Sequence, residues 1–164
     1  MIIMHYTTTV ATPLGTFRVS ADARGLTTII LPEASPASNA ISTDNATNIG
    51  HLALAAQQIT EYCDGVRTNF DLPLSLNGTL FQQQVWEIIR TIPYGRTMSY
   101  KEIAGKLGKT SKARAVGGAA HANPLPLVIP CHRVIGSNGA LIGYAGGLEL
   151  KTRLLRLEQK YANR

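Results

Sequence analysis

Cysteine is scarce in this chain. Only two of its 164 residues, Cys63 and Cys131, carry a thiol. They stand in unrelated contexts, which excludes a disulfide framework and suits a reducing compartment. No C-x-x-C and no His/Cys cluster at zinc spacing occurs, so no structural metal is expected. Long apolar runs are missing as well, and none approaches the roughly 20 residues of a membrane-spanning helix. The opening Met-Ile-Ile-Met-His-Tyr lacks a basic n-region and an extended apolar core, so it does not read as a signal peptide. Together these absences predict a soluble, cytoplasmic protein with no membrane partner. Its length accommodates one or two small domains.

Acidic residues are also few, ten against sixteen basic, and they are unevenly placed. Residues 1–78 hold six acidic and three basic side chains, a net of −3; residues 79–164 hold four acidic and thirteen basic, a net of +9. A lysine-rich solvated surface accounts for part of such a balance. A basic half joined to an acidic half points further, to a polyanion partner for the basic half.

Along the chain, residues 5–11 and 16–21 are short Thr/Val/Phe-rich runs joined by Thr12-Pro-Leu-Gly15, which predicts a β-hairpin. Residues 26–31 supply a third strand after the turn at Arg24-Gly25. Residues 32–46, rich in Pro, Ser, Ala and Asn, read as a mobile loop. From about 47 to 63, Ile49, Leu52, Ala56, Ile59 and Cys63 recur at helical spacing and Gly65 ends the helix, which places Cys63 in the core. The charge changes sign around 71–79, and the domain boundary is expected there, giving domains 1–78 and 79–164.

Thr79 can cap a helix from Leu80 to about Thr91 that buries Phe81, Val85, Ile88 and Ile89. Pro93-Tyr94-Gly95 breaks it. Ser99 with Glu102 forms a capping box for a second helix that stops at Gly108. Ser111 is expected to open a third, running to about Ala122. Two short helices around a glycine-containing turn make a helix-turn-helix. The third helix is nearly bare after Arg114: Ala115, Gly117, Gly118, Ala119 and Ala120 follow. Each helical glycine costs on the order of 1 kcal/mol relative to alanine. Either the helix packs tightly inside the domain, or its backbone approaches an outside surface with Arg114 projecting like a finger. A glycine-rich loop surrounds Tyr144, and Leu150, Leu154, Leu155 and Leu157 describe a last amphipathic helix with Glu158 near its end.

Chemistry concentrates at Ile129-Pro-Cys-His-Arg-Val134. A cysteine is nucleophilic as the thiolate, and its free pKa of about 8.5 must be lowered by a base or cation. Cys131, His132 and Arg133 put a thiol, a base and a cation within three residues. A bare Cys-His pair is more often a buried cysteine beside a chance neighbour; the surrounding sequence decides otherwise.

The C-terminal half resembles the O6-alkylguanine-DNA alkyltransferases, the methylated-DNA–protein-cysteine methyltransferases. The matching pieces stand in order: Phe81-Gln-Gln-Gln-Val-Trp86, Ile92-Pro-Tyr-Gly95, Ser99-Tyr100, Ala113-Arg-Ala-Val-Gly-Gly118, Asn123-Pro124, Ile129-Pro-Cys-His-Arg-Val134, Gly143-Tyr-Ala-Gly-Gly147, and Leu154-Leu155 with Glu158. They span about half the chain. The N-terminal half matches only in its strand–strand–helix outline and the Thr12-Pro-Leu-Gly15 turn.

The resemblance implies an α+β fold: a small N-terminal α/β domain of antiparallel sheet plus helix, with a ribonuclease H-like outline, and a mainly helical C-terminal domain with a winged helix-turn-helix. It implies direct-reversal repair, in which the alkyl group of O6-alkylguanine, and of O4-alkylthymine, moves from flipped-out base to Cys131 once per molecule, with no cofactor. It implies a Cys131–His132–Glu158 relay with an intervening water, with Asn123 bracing the active-site turn and Tyr100 offering its hydroxyl to the base. Arg114 fills the gap in the base stack, and Ala115, Gly117 and Gly118 lie along the minor groove with Tyr100. The carbonyls of Cys131 and Val134 and the amide of Ala145 read the base, while Tyr144 and Gly146 line the pocket. The implied partner is double-stranded DNA bearing an alkylated guanine, bound by a protein monomeric in solution, with cooperativity along DNA left open.

Three features depart from the family pattern. His121 and Ala122 replace small or polar residues. Ile142 stands where glycine is common and is expected to narrow the pocket against large alkyl groups. The N-terminal half lacks the Cys and His ligands that hold zinc in some relatives. The rival readings are a non-catalytic, lesion-flagging relative, a helix-turn-helix regulator and a cysteine hydrolase. The first replaces the cysteine that stands here as Cys131, the second leaves the Cys-His-Glu set unexplained, and the third would turn over repeatedly and calls for an oxyanion motif that the sequence does not display.

Overall fold

The computed structural model describes residues 5–32 and 50–163. They form two compact units, Met1–Leu76 and Asn77–Arg164. The loop expected over 32–46, apart from Pro32, and the helix start at 47–49 lie outside the described residues.

In the first unit, β1 (Tyr6–Thr12), β2 (Gly15–Ala21) and β3 (Leu26–Ile30) form an antiparallel meander in the order β1-β2-β3. Thr12 closes the hairpin, its hydroxyl donating to the Gly15 carbonyl at 2.7 Å and accepting from the Leu14 amide at 3.1 Å. Strand alternation sends Phe17, Val19 and Ala21 inward, where they meet Leu52, Ala55, Ile59 and Tyr62 of α1 (Gly50–Cys63). After α1 the chain turns at Gly65, whose φ of +75° suits a residue without Cβ. The segment around Leu74 then bridges Leu26 in parallel. Asp22 pins that return, accepting from the Ser75 hydroxyl at 2.7 Å and from the Arg24 amide at 2.8 Å.

The second unit is helical. Thr79 caps α2 (Leu80–Arg90), and Gln82 completes a capping box. Val85, Trp86 and Ile89 are buried, whereas Phe81 and Ile88, expected in the core, are only half-buried. Trp86 fills that place. Its indole donates to the Ala119 carbonyl at 2.8 Å and so ties α2 to α4. The Ser99–Glu102 capping box opens α3 (Tyr100–Lys106), and the chain reverses at Gly108, with φ +88°. Ser111 does not cap the next helix. It sits in a one-turn 3-10 helix, Thr110–Lys112, that runs straight into α4 (Ala113–His121) with no side-chain cap at the junction. The first turn of α4 inherits backbone partners from the 3-10 turn, which makes a serine cap unnecessary. Two short strands, β4 (Met98–Ser99) and β5 (Val134–Ile135), pair in parallel and set the start of α3 beside the end of the Cys131 segment. Helix α5 (Leu148–Ala162) completes the unit. Among the described residues no helix is long and apolar enough to cross a membrane.

Candidate active site and DNA-binding helix

Cys131 sits where the backbone is held from several sides. Asn123 donates from Nδ2 to the Ile129 carbonyl at 2.7 Å and accepts the Leu125 amide on Oδ1 at 2.9 Å, bridging both ends of the loop before the cysteine. Within it, Leu127 has φ +75°, a left-handed conformation that costs a non-glycine residue on the order of 1–3 kcal/mol. Burial of the Leu127 side chain, 1% exposed, opposes that cost. The cysteine amide then donates to the Ile129 carbonyl at 2.7 Å, and Cys131–Arg133 form a single 3-10 turn leading into β5. Cys131 as a residue is half-buried.

Behind it lies a charged cluster sealed from water. His132 and Glu158 are both fully buried, and Nε2 lies 2.9 Å from Oε1. A carboxylate partner places the ring hydrogen on Nε2 and leaves Nδ1 as the proton acceptor. The 2.9 Å separation makes this a direct hydrogen bond between the two side chains. Arg133 grips the same carboxylate: Nη2 donates to Oε1 at 2.6 Å, and Nε reaches both oxygens at 2.9 Å. Its Nη1 donates to the Ile92 carbonyl at 2.7 Å. Arg133 therefore serves Glu158 rather than the thiol.

These contacts set the protonation states. Burial pushes the Glu158 carboxyl up, but the hydrogen bonds and charges of His132 and Arg133 overcome it and hold the group down at about 2. Burial lowers His132 below its ordinary value, with Glu158 working against it, so the resting imidazole is neutral at pH 7, the form that can accept a proton. Burial raises the Cys131 thiol, opposed by its hydrogen bond with Asn123 and by the charge of Lys151.

Lys151 is the residue that sequence reasoning missed. It is fully buried, and its ammonium donates to the Val134 carbonyl at 2.7 Å, the Ile142 carbonyl at 3.1 Å and the Gly143 carbonyl at 3.4 Å. The signal was present: Lys151, Leu154 and Glu158 stand at i, i+3 and i+7, on the buried stripe of α5. A lysine in a basic half is easily taken for a surface charge.

Of the other expected pocket residues, Tyr100 is half-buried and its hydroxyl donates to the Ile142 carbonyl at 3.3 Å, joining α3 to the glycine-rich loop. Burial and the neighbouring Cys131 push its phenol up, so it remains a donor. Tyr144 is half-buried; burial, then Cys131 and Glu158, push its phenol well up. Val134 is buried, Gly146 half-buried and Ala145 exposed. The Ile142 side chain is 53% exposed, and its Cδ1 lies 2.8 Å from where a Gly136 Cβ would stand, so it folds back over the loop's first turn. Cys63 is buried, which drives its thiol up to about 11, as befits a core residue.

The face of α4 resolves the question its glycines raise. Val116, Ala119 and Ala120 are buried, while Arg114, Ala115, Gly118, His121 and Ala122 are exposed. A Cβ on Gly118 would meet nothing within 4 Å, and one on Gly117 only the Tyr100 ring at 3.8 Å, an ordinary contact. Internal packing therefore demands neither glycine. The smooth outer face, starting at Arg114, is left for an external surface. Among the described residues no cluster of His, Cys, Asp and Glu could hold a metal ion.

Comparison with known proteins matches both units. Residues 80–160 match the DNA-binding domain of 6-O-methylguanine DNA methyltransferase, and residues 4–76 match that family's ribonuclease-like domain. The chain is 43% identical over 159 residues to the constitutive methylated-DNA–protein-cysteine methyltransferase of Bacillus subtilis (strain 168), covering 95% of this chain and 96% of the relative. Among solved structures it is similar to the O6-methylguanine methyltransferase of Mycobacterium tuberculosis, with a TM-score of 0.82 at 40% identity, covering 96% of this chain and 94% of that one. The complex of the M. tuberculosis protein with DNA gives a TM-score of 0.82 at 38% identity, covering 95% of this chain and 94% of that one.

Proposed function

Because this chain belongs to the O6-alkylguanine-DNA alkyltransferase family, we propose that Cys131 is its alkyl acceptor, with His132, Glu158, Asn123 and Tyr100 as the groups that make the transfer work. The chain binds DNA and repairs it by direct reversal, moving the alkyl group onto one of its own cysteines in a single turnover. The observation that carries the residue assignment is the sealed His132–Glu158–Arg133 cluster adjoining the half-buried Cys131.

The chemistry runs as a displacement. His132, neutral at rest, takes the thiol proton on Nδ1, and the ionised Glu158 stabilises the imidazolium that forms. The thiolate attacks the alkyl carbon on O6; the carbon–sulfur bond forms as the carbon–oxygen bond breaks. Guanine leaves with the electron pair of that bond and regains one proton, so the thiol proton and the base proton balance. The Tyr100 hydroxyl, released from the Ile142 carbonyl, hydrogen-bonds the departing base and lowers the cost of its negative charge. The product is a thioether at Cys131, which no group in the cluster can cleave.

Reaching that geometry requires the base outside the duplex, because O6 lies inside a stacked pair. The exposed face of α4 supports a minor-groove approach, with Ala115, Gly117 and Gly118 allowing the backbone close and Arg114 entering the stack. The net +9 of residues 79–164 supplies phosphate contacts that are independent of sequence and weakened by salt. The substrate is alkylated guanine in double-stranded DNA, met by a monomer in a reducing cytoplasm.

A time course tests the reading. With protein in shortfall over duplex containing O6-methylguanine, unmodified guanine should appear in an amount equal to the protein and then stop. Continued turnover, or no guanine formed, contradicts it.

A further inference from the structure

His121 is a side chain that the fold itself does not use. It stands in the last turn of α4 and is exposed, and among the described residues no hydrogen bond or ion pair holds it. Nor does it fold back along the helix: a Cβ on Gly118, one turn earlier, would meet nothing within 4 Å. A histidine in this place can serve the helix alone, by opposing the negative end of its dipole. Its position on the helix face points elsewhere.

The exposed residues of α4 and its C-cap are Arg114, Ala115, Gly118, His121 and Ala122, at i, i+1, i+4, i+7 and i+8. They describe one stripe along the helix. Two of these side chains have polar reach, and they stand at opposite ends, Arg114 in the first turn and His121 in the last. Seven residues of helix set their Cα atoms about 10.5 Å apart. The minor groove of B-DNA is about 6 Å wide, and successive nucleotides of a strand follow at about 3.4 Å. With Arg114 at the base stack, a helix lying across the groove brings His121 to the sugar–phosphate wall. A helix lying along the groove brings it about three nucleotides from the lesion, with backbone on either side. Both orientations put a phosphate within reach of the imidazole.

The C-terminal end of a helix is a poor neighbour for phosphate, because its last four carbonyls point outward unmet. Three of the four are taken here. The Trp86 indole donates to Ala119 at 2.8 Å, the Ala122 amide to Gly118 at 3.0 Å and the Asn123 amide to Ala120 at 3.3 Å. The imidazole carries at least one N–H donor in either tautomer. The last turn of α4 therefore presents a free donor where a helix end ordinarily presents acceptors.

We propose that His121 is the second DNA anchor of α4, donating from its ring to one backbone phosphate while Arg114 enters the stack two turns away. This rests on the reading above that the α4 face meets the minor groove, and adds a fixed point at its other end. His121 lies two residues before Asn123, whose side chain braces the cysteine turn. The anchor thus holds the strand in register with the pocket.

The test uses the full chain with Cys131→Ser throughout, so that binding is read without transfer. The duplex carries O6-methylguanine, and single phosphates up to four steps from it, on either strand, are replaced by uncharged methylphosphonates. His121→Ala and His121→Phe remove the donor, and the second keeps a ring. Position 121 is exposed, so both should fold. Both should bind the all-phosphate duplex about tenfold more weakly, on the scale of a lost hydrogen bond to a charged group. The chain with His121 should lose affinity at several methylphosphonate positions. At one of them the loss should vanish in His121→Ala and persist in Arg114→Ala. A role confined to the helix dipole predicts a lower melting temperature with the full set of methylphosphonate losses retained, and that result overturns the proposal. Unchanged duplex affinity in both variants overturns it as well. Arg114→Ala tells the two claims apart. If it weakens binding and His121→Ala does not, the groove reading stands and the anchor falls; if neither substitution matters, both fall.

Discussion

Glu158 and His132 touch directly: Oε1 of one lies 2.9 Å from Nε2 of the other, and both side chains are fully buried. The same oxygen also receives Arg133 at 2.6 Å. One carboxylate thus fixes the imidazole tautomer and neutralises a guanidinium, and its loss disturbs both functions.

Glu158→Gln keeps the size and removes the charge. The imidazolium loses its stabilising partner, so the apparent thiol pKa should rise and methyl transfer at neutral pH should slow by tenfold or more, on the scale of one pKa unit or above. Raising the pH toward the unassisted thiol value of about 8.5 should restore part of the rate. Arg133 is left as a buried charge without a partner, which costs on the order of 3–5 kcal/mol, so the melting temperature should fall as well. Single-turnover rates across pH, with melting curves, check both; an unchanged neutral-pH rate in the folded variant removes Glu158 from the relay.

Acid should unfold the C-terminal unit through the same group. The folded Glu158 carboxyl is depressed from 4.5 to about 2. A depressed carboxyl contributes stability that is fully present above its ordinary value and is lost as pH falls through the folded one. That contribution is on the order of 3 kcal/mol and should disappear between about pH 4.5 and 2. His132, also depressed, acts in the same direction below its ordinary value of 6.5. Urea midpoints measured from pH 7 to pH 2 should decline in that window for the parent chain and much less for Glu158→Gln.

Much of this arrangement was legible in the sequence, and the residues show why. The Ser99–Glu102 box is written in a four-residue pattern, and the core position of Cys63 follows from helical spacing. Local chemistry decides such features. The fate of Ser111 depended on a 3-10 turn that no short pattern signals. Trp86, rather than Phe81, became the anchor because an Ala119 carbonyl 33 positions away was in reach of its indole. The sharing of Glu158 between Arg133 and His132, and the burial of Lys151, arise only when α5 closes over the Cys131 turn. Contacts between distant segments leave little trace in local spacing.

Gly118→Ala separates folding from binding. Nothing lies within 4 Å of the added methyl group, so the helix should gain up to about 1 kcal/mol and the melting temperature should rise. Duplex binding should weaken, because the methyl stands on the face that approaches the groove. A more stable protein with unchanged DNA affinity would show that this face of α4 does not meet DNA.

Arg114→Ala should slow repair of duplex DNA and weaken binding, since unstacking a base costs a few kcal/mol that the side chain helps to offset. Reaction with free O6-benzylguanine, which needs no flipping, should change far less. Equal losses in both reactions would contradict a role in the base stack.

The central claim is that one thiol, Cys131, ends the reaction carrying the alkyl group. Peptide mass spectrometry after mixing the protein with duplex containing O6-methylguanine tests it most directly. A single added methyl on the peptide holding Cys131 is the predicted result, with none on Cys63; Cys131→Ser should bind the duplex and gain no methyl, and Cys63→Ser should react like the parent. A methyl found on Cys63, or transfer that survives Cys131→Ser, would contradict the account.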